Sequence, residues 1–107
     1  MNFQSIDLSG KVALVTGGSK GIGYGMAQAL AQFGANIIIV SRNLAEGEKA
    51  AQDMRDLGRK ALAISCDVTS ATAVDTMVEK SVEAFGKIDI LVNNAGMNIR
   101  KQVVDIA

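Results

Sequence analysis

Short aliphatic runs alternate along the chain with longer stretches in which apolar residues recur at helical spacing. Runs of this kind, rich in β-branched residues, predict buried strands, and the stretches between them predict amphipathic helices. The predicted strands are Lys11–Thr16, Asn36–Val40, Ala61–Ser65 and Ile88–Asn93. The first helix spans about Ile22–Phe33, the second begins after Asn43, and the third begins after Thr69 or Ser70.

Polar residues and glycines mark the ends of these helices. Asn43 followed three residues later by Glu46 is a capping pair that opens the second helix. Gly34, Gly58 and Gly86 each come directly after a predicted helix, where glycine commonly stops it.

Each predicted helix has one apolar face. The predicted buried positions are Ile22, Met26, Leu30 and Phe33 in the first helix, Ala50, Met54 and Leu57 in the second, and Val74, Met77, Val78, Ser81 and Phe85 in the third. The other side of the second helix is expected to be solvated; it carries Glu48, Lys49, Gln52, Asp53, Arg55 and Asp56. The methionines are predicted to fill the core and not to bind a partner.

The order of elements predicts an α/β fold with a doubly wound parallel sheet. Strands that alternate with helices require right-handed crossovers, and the expected strand order is 3-2-1-4. The unbroken aliphatic run Asn36–Val40 indicates a strand buried on both faces, as in a sheet covered by helices. Ligands of such sheets bind at the carboxyl ends of the strands, near the switch between strands one and four.

A glycine-rich stretch, Thr16–Gly23, joins the first strand to the first helix. Its spacing is Gly-x-x-x-Gly-x-Gly, formed by Gly17, Gly21 and Gly23. Backbone N–H groups of such a turn and the positive end of the helix favour a phosphate, which any Cβ would keep at a distance. The stretch therefore predicts a phosphate-binding turn, the alternative being an ordinary tight turn.

Composition excludes several classes of site. The 107 residues fit one domain, and the 11 basic and 11 acidic residues cancel, which argues against a nucleic-acid or membrane-surface protein. The sequence has no histidine, so a Ser-His-Asp triad and histidine-ligated metals are excluded. No apolar run approaches the ~20 residues of a spanning helix. Cys66 is the single cysteine and the start is polar, so we expect a cytoplasmic location and a small buried thiol.

Four motifs in order resemble the cofactor-binding half of the short-chain dehydrogenase/reductase family. They are Thr16–Gly23, Ser41-Arg42, Cys66-Asp67-Val68 and Asn93-Asn94-Ala95-Gly96, and each follows a predicted strand. The resemblance covers nearly the whole chain. It implies a Rossmann-type dinucleotide-binding domain over residues 1–107 and, for the family's chemistry, hydride transfer between a nicotinamide and an alcohol or ketone.

The resemblance also implies roles for the residues of the first two motifs. Gly17, Gly21 and Gly23 admit the pyrophosphate, with Ser19 in the same loop and the N–H of Ile22 as a donor. Position 41 decides cofactor preference in the family. Here Ser41 and Arg42 stand at the end of the second strand, with Lys20 nearby in the glycine loop. Two cations without a carboxylate favour NADP over NAD. The alternative is that Lys20 and Arg42 are ordinary solvated charges.

The third and fourth motifs are expected to hold the adenosine half of the cofactor. The resemblance implies that Asp67 and Val68 bind the adenine, and that Asn93, Asn94, Ala95 and Gly96 lie over the cofactor ribose. Two structural alternatives stay open. Asp67 can instead cap the loop before the third helix, and Asn94 can serve mainly to hold the sheet together.

The sequence departs from the family at the catalytic groups. The family's Tyr-x-x-x-Lys motif is not found, since Tyr24 is the only tyrosine and Gln28, not lysine, lies four residues later. We therefore predict no catalytic residue in this chain. We interpret it as an amino-terminal part of a longer NADP-dependent oxidoreductase, inactive alone, whose tail Met97–Ala107 can begin a fourth helix.

Two other interpretations are a non-catalytic dinucleotide-binding module and a self-associating assembly unit. An exposed fourth strand, with its aliphatic residues Ile90–Val92, predicts a homo-oligomer. The substrate cannot be derived from these residues; Gly96–Lys101 is only similar to sugar-acid and keto-reductase members of the family.

Overall fold

A computed structural model of the chain describes residues 6–94. The elements are β1 (Val12–Thr16), α1 (Gly21–Gln32), β2 (Asn36–Ser41), α2 (Leu44–Asp56), β3 (Ala61–Ser65), α3 (Ala71–Phe85) and β4 (Ile90–Asn93). This is the predicted βαβαβαβ succession. The helix predicted in the tail falls outside the described residues. Within residues 6–94, no helix is both long and apolar enough to span a membrane.

The four strands form one parallel sheet in the order β3-β2-β1-β4, which confirms the predicted topology. Thr16 at the end of β1 lies opposite Val40 of β2 and Asn93 of β4. The carboxyl ends of three strands therefore meet at one edge of the sheet. This arrangement places the loops after β1, β2 and β4 side by side.

The core has two layers, one on each face of the sheet. On one face α3 packs through Val74, Met77 and Val78 against alternate residues of β1 and β2. On the other face α1 and α2 pack against the remaining residues of the same strands. Ile37–Val40 are fully buried, so the prediction of a strand covered on both faces is confirmed.

Asp89 sets the start of β4 two residues later than predicted. Its backbone N–H donates to the Val12 carbonyl at 2.8 Å, and its Oδ2 accepts from the Val12 N–H at 2.8 Å. A side chain thus satisfies the Val12 donor, and the regular ladder begins only at Ala13 and Ile90. The bond from Val12, helped by Lys87, holds the pKa of the Asp89 carboxyl below its ordinary value.

The predicted helix caps are mostly confirmed. Asn43 Oδ1 accepts from the Glu46 N–H at 3.0 Å, and Ser70 Oγ accepts from the Ala73 N–H at 3.2 Å. The second hydrogen bond of the capping pair, from the Asn43 N–H to the Glu46 side chain, does not form. The Asn43 N–H donates to Ser41 Oγ instead. Gly86 adopts a left-handed φ of 81° at the end of α3, where a β-carbon would be strained.

The predicted buried face of α1 is wrong at its first two positions. Ile22 is 77% exposed and Met26 is 43% exposed, and the helix instead buries Gly23, Ala27 and Ala31. Small residues at this spacing let the helix axis approach the sheet more closely than leucine or methionine would permit. A Cβ on Gly23 would collide with the Gly17 carbonyl oxygen and lie 2.9 Å from Asn94 Nδ2.

Two parts of the α2 prediction also change. Leu57 is the residue that caps the helix end and is exposed, whereas Ala50 and Met54 are buried as predicted. On the side expected to be solvated, two side chains bind other elements. Arg55 donates through Nε and Nη2 to the Ala61 carbonyl, at 3.3 and 3.0 Å, and Asp53 accepts from Tyr24.

Tyr24 connects α1 to α2 through its hydroxyl group. The hydroxyl donates to Asp53 Oδ2 at 2.7 Å, while the ring packs against the core layer beneath the two helices. The bond to the carboxylate favours the neutral phenol and raises the pKa of Tyr24. This contact explains why Asp53 is partly buried on a helix side that carries mainly exposed polar residues.

We expect Gly23→Ala to lower the free energy of unfolding by about 1–3 kcal/mol, because the new methyl group has to displace backbone. Gly25→Ala is the matched control on the same helix, since a Cβ there meets nothing within 4 Å. The control is expected to be neutral or to stabilise by up to about 1 kcal/mol through helix propensity. Urea unfolding followed by circular dichroism measures both. Equal effects of the two substitutions would contradict the close approach at Gly23.

We expect Tyr24→Phe to cost about 1 kcal/mol of unfolding free energy through loss of the hydrogen bond. Because the pKa of Tyr24 is raised in the folded chain, this stabilisation is complete below about pH 10 and is lost as pH rises through the folded pKa. Tyr24 is the only tyrosine and the sequence has no tryptophan, so tyrosinate absorbance titrates this residue alone. Asp53→Asn should lower the titration midpoint; an unchanged midpoint would show that the bond does not form in solution.

Candidate functional site

A cleft of about 570 Å³ opens where β1, β2 and β3 end. Its walls come from the loops after these strands and from the start of α2. The lining residues are Gly17, Ser19, Lys20, Val40, Ser41, Arg42, Asn43, Glu46, Cys66, Val68 and Thr69. The fold therefore brings three of the four predicted motifs together at the edge of the sheet where parallel α/β proteins bind ligands.

The glycine-rich loop forms the inner wall of the cleft. Gly17 and Gly21 have φ values of 65° and 63°, which side chains with a Cβ rarely adopt. The loop is held in place by a hydrogen bond from the Gly17 N–H to the Val40 carbonyl at 2.8 Å. At the start of α1, the side chain of Lys20 makes no capping hydrogen bond. The backbone N–H groups of the first turn are therefore not capped by this side chain. A phosphate that binds at a helix N-terminus uses such uncapped N–H groups.

Ser41 links the glycine loop to the end of β2. Its side chain is buried; its hydroxyl donates to Ser19 Oγ at 3.2 Å and accepts from the Asn43 N–H at 3.2 Å. The sequence identified Ser19 and Ser41 as site residues but did not indicate that they touch. Their contact links the glycine loop, predicted to bind phosphate, to Ser41 at the end of β2, predicted to influence the choice of cofactor.

The charges around the cleft differ from the expectation of two cations without a carboxylate. Lys20 Nζ lies 3.9 Å from Glu46 Oε2, and Arg42 Nη2 lies 3.6 Å from Asp67 Oδ1. Each cation is therefore paired with a carboxylate, and the expectation was wrong on this point. The sequence could not show the first pair, because it depends on how the Asn43 cap places the first turn of α2 beside the glycine loop.

Asp67 performs the structural role that was its alternative prediction. Its Oδ1 accepts from the Thr69 N–H at 3.0 Å and from the Thr69 hydroxyl at 2.6 Å. The hydroxyl bond, with the backbone bond and the nearby Arg42, lowers the pKa of Asp67. The carboxylate is thus held by Thr69 in the loop after β3, and binding of adenine by Asp67 and Val68 stays a prediction.

Cys66 is buried as predicted. Burial first, and the neighbouring Asp67 charge second, raise the pKa of its thiol. A thiol with a raised pKa is a poor nucleophile, so this residue is a small apolar part of the cleft wall. Within the described residues, no three histidine, cysteine, aspartate or glutamate side chains are grouped as a metal site would need.

The fourth motif lies beside the glycine loop at the end of β4. Asn94 Nδ2 donates to the Gly17 carbonyl at 3.5 Å, and Thr16 Oγ1 donates to Asn93 Oδ1 at 3.3 Å. These bonds connect the first and fourth motifs and support the structural alternative for Asn94. Ala95 and Gly96, predicted to lie over the cofactor ribose, fall outside the described residues.

Comparison with known proteins gives consistent matches. The family model for short chain dehydrogenase matches residues 11–107. A 2-dehydro-3-deoxy-D-gluconate 5-dehydrogenase from Dickeya dadantii is 38% identical over 107 residues, which is 100% of this chain and 42% of that protein. The 15-hydroxyprostaglandin dehydrogenase [NAD(+)] of Bos taurus is 47% identical over 96 residues, covering 88% of this chain and 36% of that protein.

A solved structure has a similar backbone fold over most of this chain. L-Sorbose reductase from Gluconobacter frateurii, complexed with NADPH and L-sorbose, is 41% identical and superposes with a TM-score of 0.81 over 86% of this chain and 35% of that one.

The chain spans about two fifths of the length of the curated relatives it matches. Its topology, its glycine-rich turn and the family match over nearly its whole length agree. The chain belongs to the short chain dehydrogenase family.

Proposed function

We propose that this chain is the dinucleotide-binding part of a nicotinamide-dependent oxidoreductase that interconverts an alcohol and a ketone. The observation that carries the proposal is the cleft at the ends of β1, β2 and β3, with the glycine loop as its inner wall. Gly17, Gly21 and Gly23 would hold the pyrophosphate against the N-terminus of α1. Ser41 and Arg42 would face the adenosine ribose, and Asp67 and Val68 the adenine.

The residues present fit a dinucleotide on physical grounds. Two glycines have left-handed φ values in the loop, and Gly23 lies too close to Gly17 for a Cβ. These features keep side chains away from the surface that a pyrophosphate would occupy. When bound, the nicotinamide group would donate or accept the hydride; the described residues of this chain would hold the pyrophosphate and the adenosine half of the cofactor.

A preference for NADP over NAD is the finer part of the proposal. It is supported by the cations Lys20 and Arg42 and by serine at position 41, where a carboxylate would repel a 2′-phosphate. The relatives divide on this point, since the L-sorbose reductase was complexed with NADPH and the bovine dehydrogenase is named for NAD(+). The 2′-phosphate would have to compete with Glu46 and Asp67 for the two cations.

The catalytic groups of the reaction are proposed to lie outside this chain. Tyr24 is on α1, and its hydroxyl group is bonded to Asp53 between two helices. It is therefore not placed to donate a proton to a substrate. For the substrate we propose a sugar acid or a keto compound, supported by relatives named for 2-dehydro-3-deoxy-D-gluconate and L-sorbose.

The direct test is to titrate the chain with NADPH and, separately, with NADH, following nicotinamide fluorescence. We expect NADPH to bind more tightly, and Arg42→Ala to weaken NADPH binding about tenfold while changing NADH binding about twofold or less. Lys80→Ala removes one positive charge from the exposed side of α3 and serves as the matched control. Equal losses of both cofactors in Arg42→Ala would remove Arg42 from the phosphate site. Absence of binding by a folded chain would refute the proposal.

A second proposal concerns assembly: we expect the isolated chain to self-associate through β4. This strand ends the described sheet, and its residues Ile90–Asn93 are only partly buried. Outer strands with aliphatic side chains are prone to pair with another copy. Sedimentation velocity should show a dimer or larger species at tens of micromolar, with Ile90→Lys shifting it toward monomer. A stable wild-type monomer at that concentration would contradict this expectation.

A further inference from the structure

Glu46 lies between two depressions of the surface. Its side chain lines the proposed dinucleotide cleft together with Lys20, Ser41 and Arg42. It also lines a neighbouring depression of about 390 Å³ between α1 and α2, whose walls include Lys20, Tyr24, Lys49 and Asp53. Glu46 and Lys20 are the charged residues common to both, and their side chains lie 3.9 Å apart at the boundary.

The Glu46 carboxylate has no structural task in the helix cap. A glutamate at this position commonly accepts a hydrogen bond from the cap residue's N–H. Here the Asn43 N–H donates to Ser41 Oγ instead, and the cap is completed by the Asn43 side chain alone. The carboxylate is therefore directed to Lys20, the residue proposed to attract the extra phosphate of NADP.

We infer that Glu46 is a specificity-determining residue that limits the preference of the cleft for a 2′-phosphate. This inference rests on the proposed binding of a dinucleotide in the cleft. The Glu46 carboxylate lies 3.9 Å from one of the two ammonium or guanidinium groups that would attract the phosphate, that of Lys20. A bound 2′-phosphate must take Lys20 from the carboxylate and lie near a like charge, whereas a cofactor with a 2′-hydroxyl meets neither cost.

Exposure sets the size of the effect. The side chain of Lys20 is 81% exposed and that of Glu46 is 48% exposed, so solvent screens their attraction. Exposed pairs of this kind change binding by a few-fold, and a dianion beside the same carboxylate adds to the difference. We expect Glu46→Gln to raise NADPH affinity about three- to tenfold and to change NADH affinity about twofold or less. Higher salt should reduce the gain.

The experiment compares NADPH and NADH binding by fluorescence in the wild-type chain, Glu46→Gln and Glu48→Gln. Glu48→Gln is the matched control because it makes the same change of net charge on the same helix. Glu48 lies away from the cleft and is paired with Arg55 at 3.4 Å. Because the expected result is a gain of affinity, partial unfolding of Glu46→Gln cannot imitate it. A gain of NADPH affinity in Glu46→Gln, with little change in NADH affinity and no such gain in Glu48→Gln, supports the inference.

Repeating the comparison in a Lys20→Met background tests whether Glu46 acts through Lys20. The gain from Glu46→Gln should shrink there, since no ammonium group remains to be released.

Three outcomes would overturn the inference. Equal changes of NADPH affinity in Glu46→Gln and Glu48→Gln would show that the effect comes from net charge alone. Weaker NADH binding with unchanged NADPH binding would place the carboxylate on the ribose hydroxyls. Absence of binding of either cofactor to the folded wild-type chain would refute the proposed function and this inference with it. The first two outcomes leave the proposed function intact.

Discussion

The structure depends on how closely α1 approaches the loop after β1. The absence of a side chain at Gly23 lets the helix begin directly against the Gly17 carbonyl, and Asn94 reaches the same oxygen from the end of β4. The start of α1 and the distant end of β4 therefore converge on one peptide group of the loop after β1. The loop lines the cleft through Gly17, one of its two glycines with left-handed φ values. A bulkier residue at position 23 would displace α1 and, with it, the glycine loop that forms the inner wall of the cleft.

The pattern of apolar runs predicted the fold well, because each element carries its own local signal. The strands are short aliphatic runs, the caps are Asn43 and Ser70, and the helices end at or just before glycines. Alternation of strands and helices leaves few allowed topologies, so the strand order followed. Most boundaries differ from the prediction by at most one residue, and the start of β4 differs by two because the Asp89 side chain replaces a ladder bond there.

Tertiary contacts account for what the sequence did not predict. Hydrophobicity alone assigned Ile22 and Met26 to the core, but close helix–sheet packing selects small residues, so glycine and alanine are buried instead. The predicted charge of the cleft missed the two carboxylates that lie near Lys20 and Arg42. Local patterns in the sequence cannot place Glu46 and Asp67 beside these cations. Predicting these pairs requires the distances between loops, which the order of motifs does not contain. Cofactor binding by the motif residues remains a prediction.

Arg55 covers part of the edge of β3, an outer strand of the described sheet. The Ile37 N–H donates to the Lys60 carbonyl, so along β3 the next carbonyl, that of Ala61, points away from β2. The Arg55 guanidinium occupies that carbonyl, with Glu48 and Gln52 holding it from the helix. A strand arriving beside β3 could use the Ala61 carbonyl only by displacing this guanidinium, which is also bonded to Glu48 and Gln52. The described sheet therefore has one outer edge, at β3, where a guanidinium already occupies a backbone acceptor that an added strand would use.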